Sequence, residues 1–391
     1  MKKVIALLLI AVLALGLVAC GNEPAAPAAP ADPAAPAAPA DPAAPAAPAE
    51  EEKEFVKMNL AYATFLQDFA PSAGIYENVQ AKLDEKMGGA IQITPYTSGS
   101  LLGQNDIFDG VISGVADIGF VQCSALADRL NVTLLLEQAG LYYTGSTSAS
   151  YVMRDYLNEL MPEELEDVIV LAVTNTAPNS ILSTTPIHTV EDLKGLQIRA
   201  SGAAADAVAA LGGTPVSLTM GEIYEGLRSG LVDGAWFLPS AVGSNKLHEV
   251  AGYQVIVPIG GACQLVVMNK DVFYSMPEHQ QELFMEIWDE VFEEFIAVYV
   301  EDYSSDRHTG TVEGIVALEE LSYLEGEELD RWLELTSGIV EEYAAELDAK
   351  GLNGTEALAL ARELCDKYNA IYPASISYNA HFMWREGAEL R

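Results

Sequence analysis

From Pro24 to Ala49 the chain contains only proline, alanine and two aspartates, with PAAPAAPAD recurring every nine residues. Where every third residue has a fixed φ and no amide hydrogen, neither a helix nor a sheet ladder forms. Side chains this small also bring little to a core. The tract is therefore expected to be polyproline II, about 3.1 Å per residue and about 80 Å when extended. Without an aromatic or basic residue to give a partner specificity, it reads as a spacer rather than as a proline-rich recognition ligand. Glu50, Glu51, Glu52 and Glu54 close it as a solvated charge run, and the folded part is expected to begin near Phe55.

Upstream, Lys2 and Lys3 precede an apolar run from Val4 to Leu15, closed by Leu17-Val18-Ala19-Cys20. This run is too short to span a membrane and has the order of a signal peptide. Small residues before a cysteine at this distance resemble the bacterial lipobox, in which the thiol is acylated and the chain is cut just before it; the alternative is an ordinary signal peptide with a chance cysteine. Residues 1–19 are thus expected to be removed, and residues 20–54 to be a lipidated Cys20 and its linker. The mature chain is expected to be extracytoplasmic, on the outer face of the cell or in the periplasm, and held to the membrane only by its lipid.

Composition removes several function classes. Against 20 Lys and Arg stand 57 Asp and Glu, a formal net charge of −37. A chain this acidic is no nucleic-acid binder, because phosphate binding needs clustered cations. Half the residues are hydrophobic, which excludes disorder throughout, and four cysteines do not make a disulfide scaffold. No phosphate loop, GxSxG elbow or GxGxxG fingerprint occurs. His248-Glu249 lacks the second histidine of a zinc helix. No metal or other cofactor is expected. Cys123, Cys263 and Cys365 lie in or beside apolar runs and read as buried thiols, with a bridge between Cys123 and Cys263 left open.

Short apolar runs alternate with helical patterns, which favours a βα architecture. Strands are expected at 56–63, 90–96, 116–121, 168–174, 196–200, 233–237 and 263–268. Helices are expected at 73–87, 107–113, 150–160, 203–211, 221–229, 326–350 and 355–368. Pro277 to Tyr303 carries Leu283, Ile287, Val291, Phe295 and Val298 at spacings of three and four, the mark of a long amphipathic helix. The α/β unit inserted between 168–174 and 263–268 suggests a second lobe entered and left through two strands.

The stretch from Thr185 to Tyr253 resembles the solute-binding proteins of tripartite ATP-independent periplasmic (TRAP) transporters. It carries TPIHTVEDLKGLQIRA, LGGTPVSLTMGEIYEGLRSGLVDGAWF and LHEVAGY, preceded by SGSLLGQNDIFDGVISGVADIGFV and followed by MNKDVFYSMPEHQQELF. Five pieces in the family's order cover about residues 55 to 350. The resemblance implies an α/β, two-lobed periplasmic-binding-protein-like fold with two hinge strands, and a long helix bracing both lobes. Lobe I would be 55–176, lobe II 177–263, and 264–391 the return to lobe I with the C-terminal helices. It further implies a protein that is not an enzyme, and that captures a small carboxylate and delivers it to TRAP membrane subunits. A binding lipoprotein of an ATP-driven importer, a chemoreceptor and a secreted enzyme are the competing readings.

Arg199 follows apolar Ile198 at a strand end, where ligands bind in open α/β sheets. It also stands at the place of the family's carboxylate-binding arginine. A planar guanidinium matches two carboxylate oxygens and stays charged when buried; the competing role is a structural partner for an acid. Where the family often has another arginine this chain has Asn179. Trp236 and Phe237 replace a common asparagine, and Gln122 an occasional acid. These departures favour a monocarboxylate with an apolar or aromatic body, with Asn179 and Gln122 as hydrogen-bonding groups. Phe65, Met220, Tyr224, Trp236 and Phe237 are expected to wall the pocket, although Trp and Phe are also common core residues.

Overall fold

The computed structural model describes residues 54–66, 75–176, 179–239, 241–294, 314 and 316–372, apart from the side chains of Met220, Ala241 and Ser244. The expectations for Cys20, the proline tract and 295–303 lie outside these residues.

Among the described residues, eleven strands form two sheets. They are β1 (Met58–Thr64), β2 (Ile91–Tyr96), β3 (Ile118–Gln122), β4 (Val168–Asn175), β5 (Asn179–Ser183), β6 (Gln197–Arg199), β7 (Thr214–Val216), β8 (Gly234–Phe237), β9 (Tyr253–Val257), β10 (Cys263–Asn269) and β11 (Glu320–Tyr323). The first sheet has the order β2-β1-β3-β10-β4 and the second β11-β9-β5-β8-β6-β7. In the first, β1 is parallel to β2 and β3, and β10 runs antiparallel between β3 and β4. In the second, β5 is antiparallel to both β8 and β9.

The two sheets communicate through β4 into β5 and β9 into β10. Thr176 N–H donates to the Ala262 carbonyl at 3.1 Å and Asn179 Nδ2 to the Ile259 carbonyl at 3.4 Å, so the two crossing segments hold each other. Gly260 and Gly261 make this closeness possible. A Cβ on Gly260, at φ +63°, would lie 2.7 Å from the Glu137 carbonyl, and one on Gly261 would lie 1.9 Å from Asn175 Oδ1.

Each sheet has its own apolar packing. The first is covered by the helices Ile75–Met87, Ser146–Leu160, Glu278–Glu294 and Gly354–Ile371. The second is packed on one face around Ile181, Ile198, Trp236 and Trp332, and on the other around Leu182, Ile223, Leu227 and Phe237.

Among the described residues a second helix reaches both cores, while the part of the expected 277–303 helix beyond Glu294 lies outside them. Over its described residues Glu278–Glu294 buries Phe284, Ile287, Trp288, Val291 and Phe292 only in the first core. Gly326–Ala349 instead places Trp332 in the second core and Val340, Ala344 and Leu347 in the first. Fifteen residues of helix cover about 22 Å, enough to change cores along one element. Residues 264–391 also do not all return to the first lobe, because β11 adds parallel to β9 at the edge of the second sheet.

Trp332 is fully buried, and its indole N–H donates to Glu328 at 3.0 Å. Trp332→Ala is expected to cost about 3–5 kcal/mol, measured by denaturant unfolding. An unfolding midpoint equal to wild type would show that this helix does not brace the second lobe.

Candidate functional site

The strand directions put a defined set of ends on the edges through which the sheets are joined. On the first sheet these are the C-terminal ends of β1, β3 and β4 and the start of β10; on the second, the ends of β6, β8 and β9 and the start of β5. Phe65, Gln122, Asn179, Arg199 and Phe237 all fall there. Ligands of open α/β sheets bind at such edges.

The local folding around Arg199 follows its sequence. Thr189 and Asp192 form a capping box, with Thr189 N–H donating to Asp192 Oδ2 at 2.9 Å. Gly195, at φ +86°, then turns the chain into β6, and Asp233 accepts the Gln197 N–H at 2.8 Å. Arg199 is half-buried. Its Nε donates to the Leu218 carbonyl at 3.0 Å, and its two terminal nitrogens have no partner among the described residues. Burial lowers its pKa. Every other described arginine is ion-paired: Arg129 with Asp109, Arg154 with Asp155, Arg228 with Glu225, Arg331 with Glu191 and Arg362 with Glu341.

The register divides the remaining candidates. Arg199 pairs with Ala235, so it shares a face with Phe237 two residues on, and Tyr224 packs against that side. Trp236 points to the other face and is 6% exposed, packed with Ile181 and Trp332. Trp236 and Phe237 therefore do not wall one pocket together, because neighbours on a strand face opposite ways; Trp236 is a core residue. Phe237 is also buried. Tyr224 donates its hydroxyl to Glu249 at 2.9 Å. Met220 opens the short helix Met220–Glu222. On the first sheet Phe65 lies 6.0 Å from Phe120, on the face to which Gln122 also points. Gln122 Nε2 donates to the Cys263 carbonyl at 3.3 Å.

Two groups at the crossing had no sequence signal. Asn175 is buried with Oδ1 unpartnered among the described residues. Glu137 accepts the Cys263 N–H at 2.8 Å, and burial pushes its carboxyl up to about 8. Cys123, Cys263 and Cys365 are buried free thiols, with no bridge between Cys123 and Cys263. Burial, and secondly the Glu137 carboxylate, push the Cys123 and Cys263 thiols far up, which keeps them unreactive. Among the described residues no group of three or more His, Cys, Asp and Glu side chains is placed to hold a metal.

The family model for bacterial extracellular solute-binding proteins, family 7 (DctP), matches residues 62–347. The chain belongs to this family. Its members are solute-binding proteins rather than enzymes, and they act outside the cytoplasm, as the sequence resemblance implied. Among relatives, a solute-binding protein of Sulfitobacter is 25% identical over 275 residues, 69% of this chain and 82% of that one. A monocarboxylate 2-oxoacid-binding periplasmic protein of Nostoc is 28% identical over 53% of this chain and 59% of its own. Among solved folds, a TRAP solute-binding protein of Rhodoferax ferrireducens with copurified benzoate superposes with a TM-score of 0.71 at 20% identity, covering 81% of this chain and 99% of that one. A marine metagenome TRAP solute-binding protein specific for aromatic acids, with 3-hydroxybenzoate, gives 0.71 at 21% identity, covering 80% and 99%. The two-lobed α/β architecture is that of these structures.

Glu137 gives this family member a pH signature. Its folded pKa lies above the ordinary 4.5, so the folded chain keeps a proton that the unfolded chain releases. Stability therefore falls as pH rises from about 4.5 to about 8. Glu137→Gln keeps an acceptor for Cys263 N–H, and melts from pH 5 to 8 are expected to lose this component of the slope. A slope equal to wild type would place the titration elsewhere.

Proposed function

We propose that this protein captures a monocarboxylate with an apolar or aromatic body between its lobes and delivers it to a TRAP-type membrane transporter. The observation carrying this reading is Arg199, the one described arginine without a carboxylate partner in a chain of net charge −37. An unpaired, half-desolvated cation destabilises the empty protein and is satisfied by a bidentate anion. Benzoate and 3-hydroxybenzoate in the similar folds, and the monocarboxylate named for the Nostoc relative, support the ligand class.

In this reading lobe I is 55–176 with the greater part of 264–391, and lobe II is 177–263 with β11. Arg199 orients the carboxylate, Asn179 and Gln122 hydrogen-bond polar groups, and Phe65, Phe237 and Tyr224 wall the body. Contacts from both lobes favour the closed state, which is the population the transporter recognises. Cys20 carries the lipid anchor and the proline tract is the tether.

Removing one partner of a buried charged pair costs about 2 to 5 kcal/mol, so Arg199→Ala is expected to weaken acid binding about 30-fold or more by calorimetry. Arg199→Lys, with charge but no fork, should fall between. Because no described acid loses its partner and a half-desolvated cation is removed, unliganded Arg199→Ala should melt at or above the wild-type temperature; unchanged affinity would remove Arg199 from the site. For the anchor, Cys20→Ser is expected to release folded protein from the membrane, since stable tethering needs about two acyl chains. Continued membrane association after signal cleavage would contradict it.

A further inference from the structure

Three polar side chains stand level on adjacent strands at the joining edge of the first sheet: Gln122 on β3, Gln264 on β10 and Thr174 on β4. Thr174 Oγ1 donates to Gln264 Oε1 at 3.1 Å, Gln264 Nε2 donates to Gln122 Oε1 at 3.1 Å, and Gln122 Nε2 donates to the Cys263 carbonyl at 3.3 Å. The direction of this chain is set from its end. A main-chain carbonyl only accepts, so it fixes the Gln122 amide, which fixes the Gln264 amide, which makes Thr174 the donor. Gln264 and Thr174 are each 6% exposed, so the chain is built into the sheet rather than solvated on it.

Each primary amide has two N–H groups, and each glutamine spends one of them inside the chain. Both Oε1 atoms already accept a hydrogen bond. Each glutamine keeps one spare N–H, a donor without charge, beside the second lone pair of its Oε1. No lysine or arginine lies on β3, β4 or β10. Phe65 lies 6.0 Å from Phe120, which shares its strand face with Gln122.

We propose that Gln264, held by Gln122 and Thr174, determines specificity by donating its spare amide N–H to an uncharged hydroxyl or carbonyl oxygen on the body of the acid. This rests on the carboxylate reading given above. A purely hydrocarbon acid leaves a buried donor unpaired, which is costly. A second carboxylate meets no cation here to offset its desolvation. The ligand class narrows to hydroxy- or oxo-monocarboxylates, with the carboxylate at Arg199 and the oxygen substituent at the amide chain.

Calorimetry on matched pairs, benzoate with 3-hydroxybenzoate and propionate with pyruvate, tests this in wild type and Gln264→Leu. Wild type is expected to prefer the oxygen-bearing member of at least one pair by about tenfold or more. Gln264→Leu should reduce that preference to about twofold or less, with its affinity for the plain acid equal to or tighter than wild type, because the unpaired donor is gone. Gln122→Leu, which removes the acceptor that orients Gln264, should act in the same direction and carries the test if Gln264→Leu fails to fold. A preference that survives both substitutions, or that wild type lacks, overturns the assignment of Gln264. If wild type binds none of the four acids, the carboxylate reading fails and this inference with it, an outcome distinct from binding that persists without preference.

Discussion

The relation between the lobes rests first on two strand-to-strand crossings, β4 into β5 and β9 into β10. β4 and β10 pair antiparallel in the first sheet and continue into β5 and from β9, which pair antiparallel in the second. The crossing is tight because Gly260 and Gly261 leave no Cβ to separate it from Glu137 and Asn175. Strand order fixes which ends face the joining edges, and hence which residues are available to a ligand. The Gly326–Ala349 helix adds a third connection, running from β11 of the second sheet past Trp332 in the second core to Val340 and Leu347 in the first.

Electrostatics then single out one group. The chain is acidic enough that its other described arginines are all engaged by carboxylates, yet Arg199 contacts only a main-chain carbonyl. Its strand lies where the second sheet faces the hinge. Across the hinge the first sheet offers no cation on its central strands, only a directed chain of neutral amides. One charged and one neutral recognition element match an acid with a single carboxylate.

Much of this was legible in the sequence because local chemistry set it. Thr189, Gly195 and the LQIRA strand have the cap, turn and period that the structure shows, and Arg199 stood out as a charge at the end of an apolar run. β9 carries a clear local signal, the β-branched run Val255-Ile256-Val257 ended by Pro258. β5 did not, since Asn179-Ser180-Ile181-Leu182-Ser183 is half polar, and Ser180 is buried only because it bonds Phe237 and Gln254 across the sheet. Trp236 and Phe237 looked equivalent in sequence, and only the register separated their faces. Glu137, Gln264 and Thr174 owe their roles to partners 90 or more residues away, apart from any local pattern.

The central claim is that the space between the lobes holds a single carboxylate against Arg199. It is tested most directly by mass spectrometry of the small molecule that co-purifies with the wild-type protein, run beside Arg199→Ala prepared identically. The account predicts a monocarboxylic acid bearing a hydroxyl or carbonyl oxygen on wild type, and its loss from the variant. A neutral sugar, an amine or a peptide recovered equally from both proteins would contradict it.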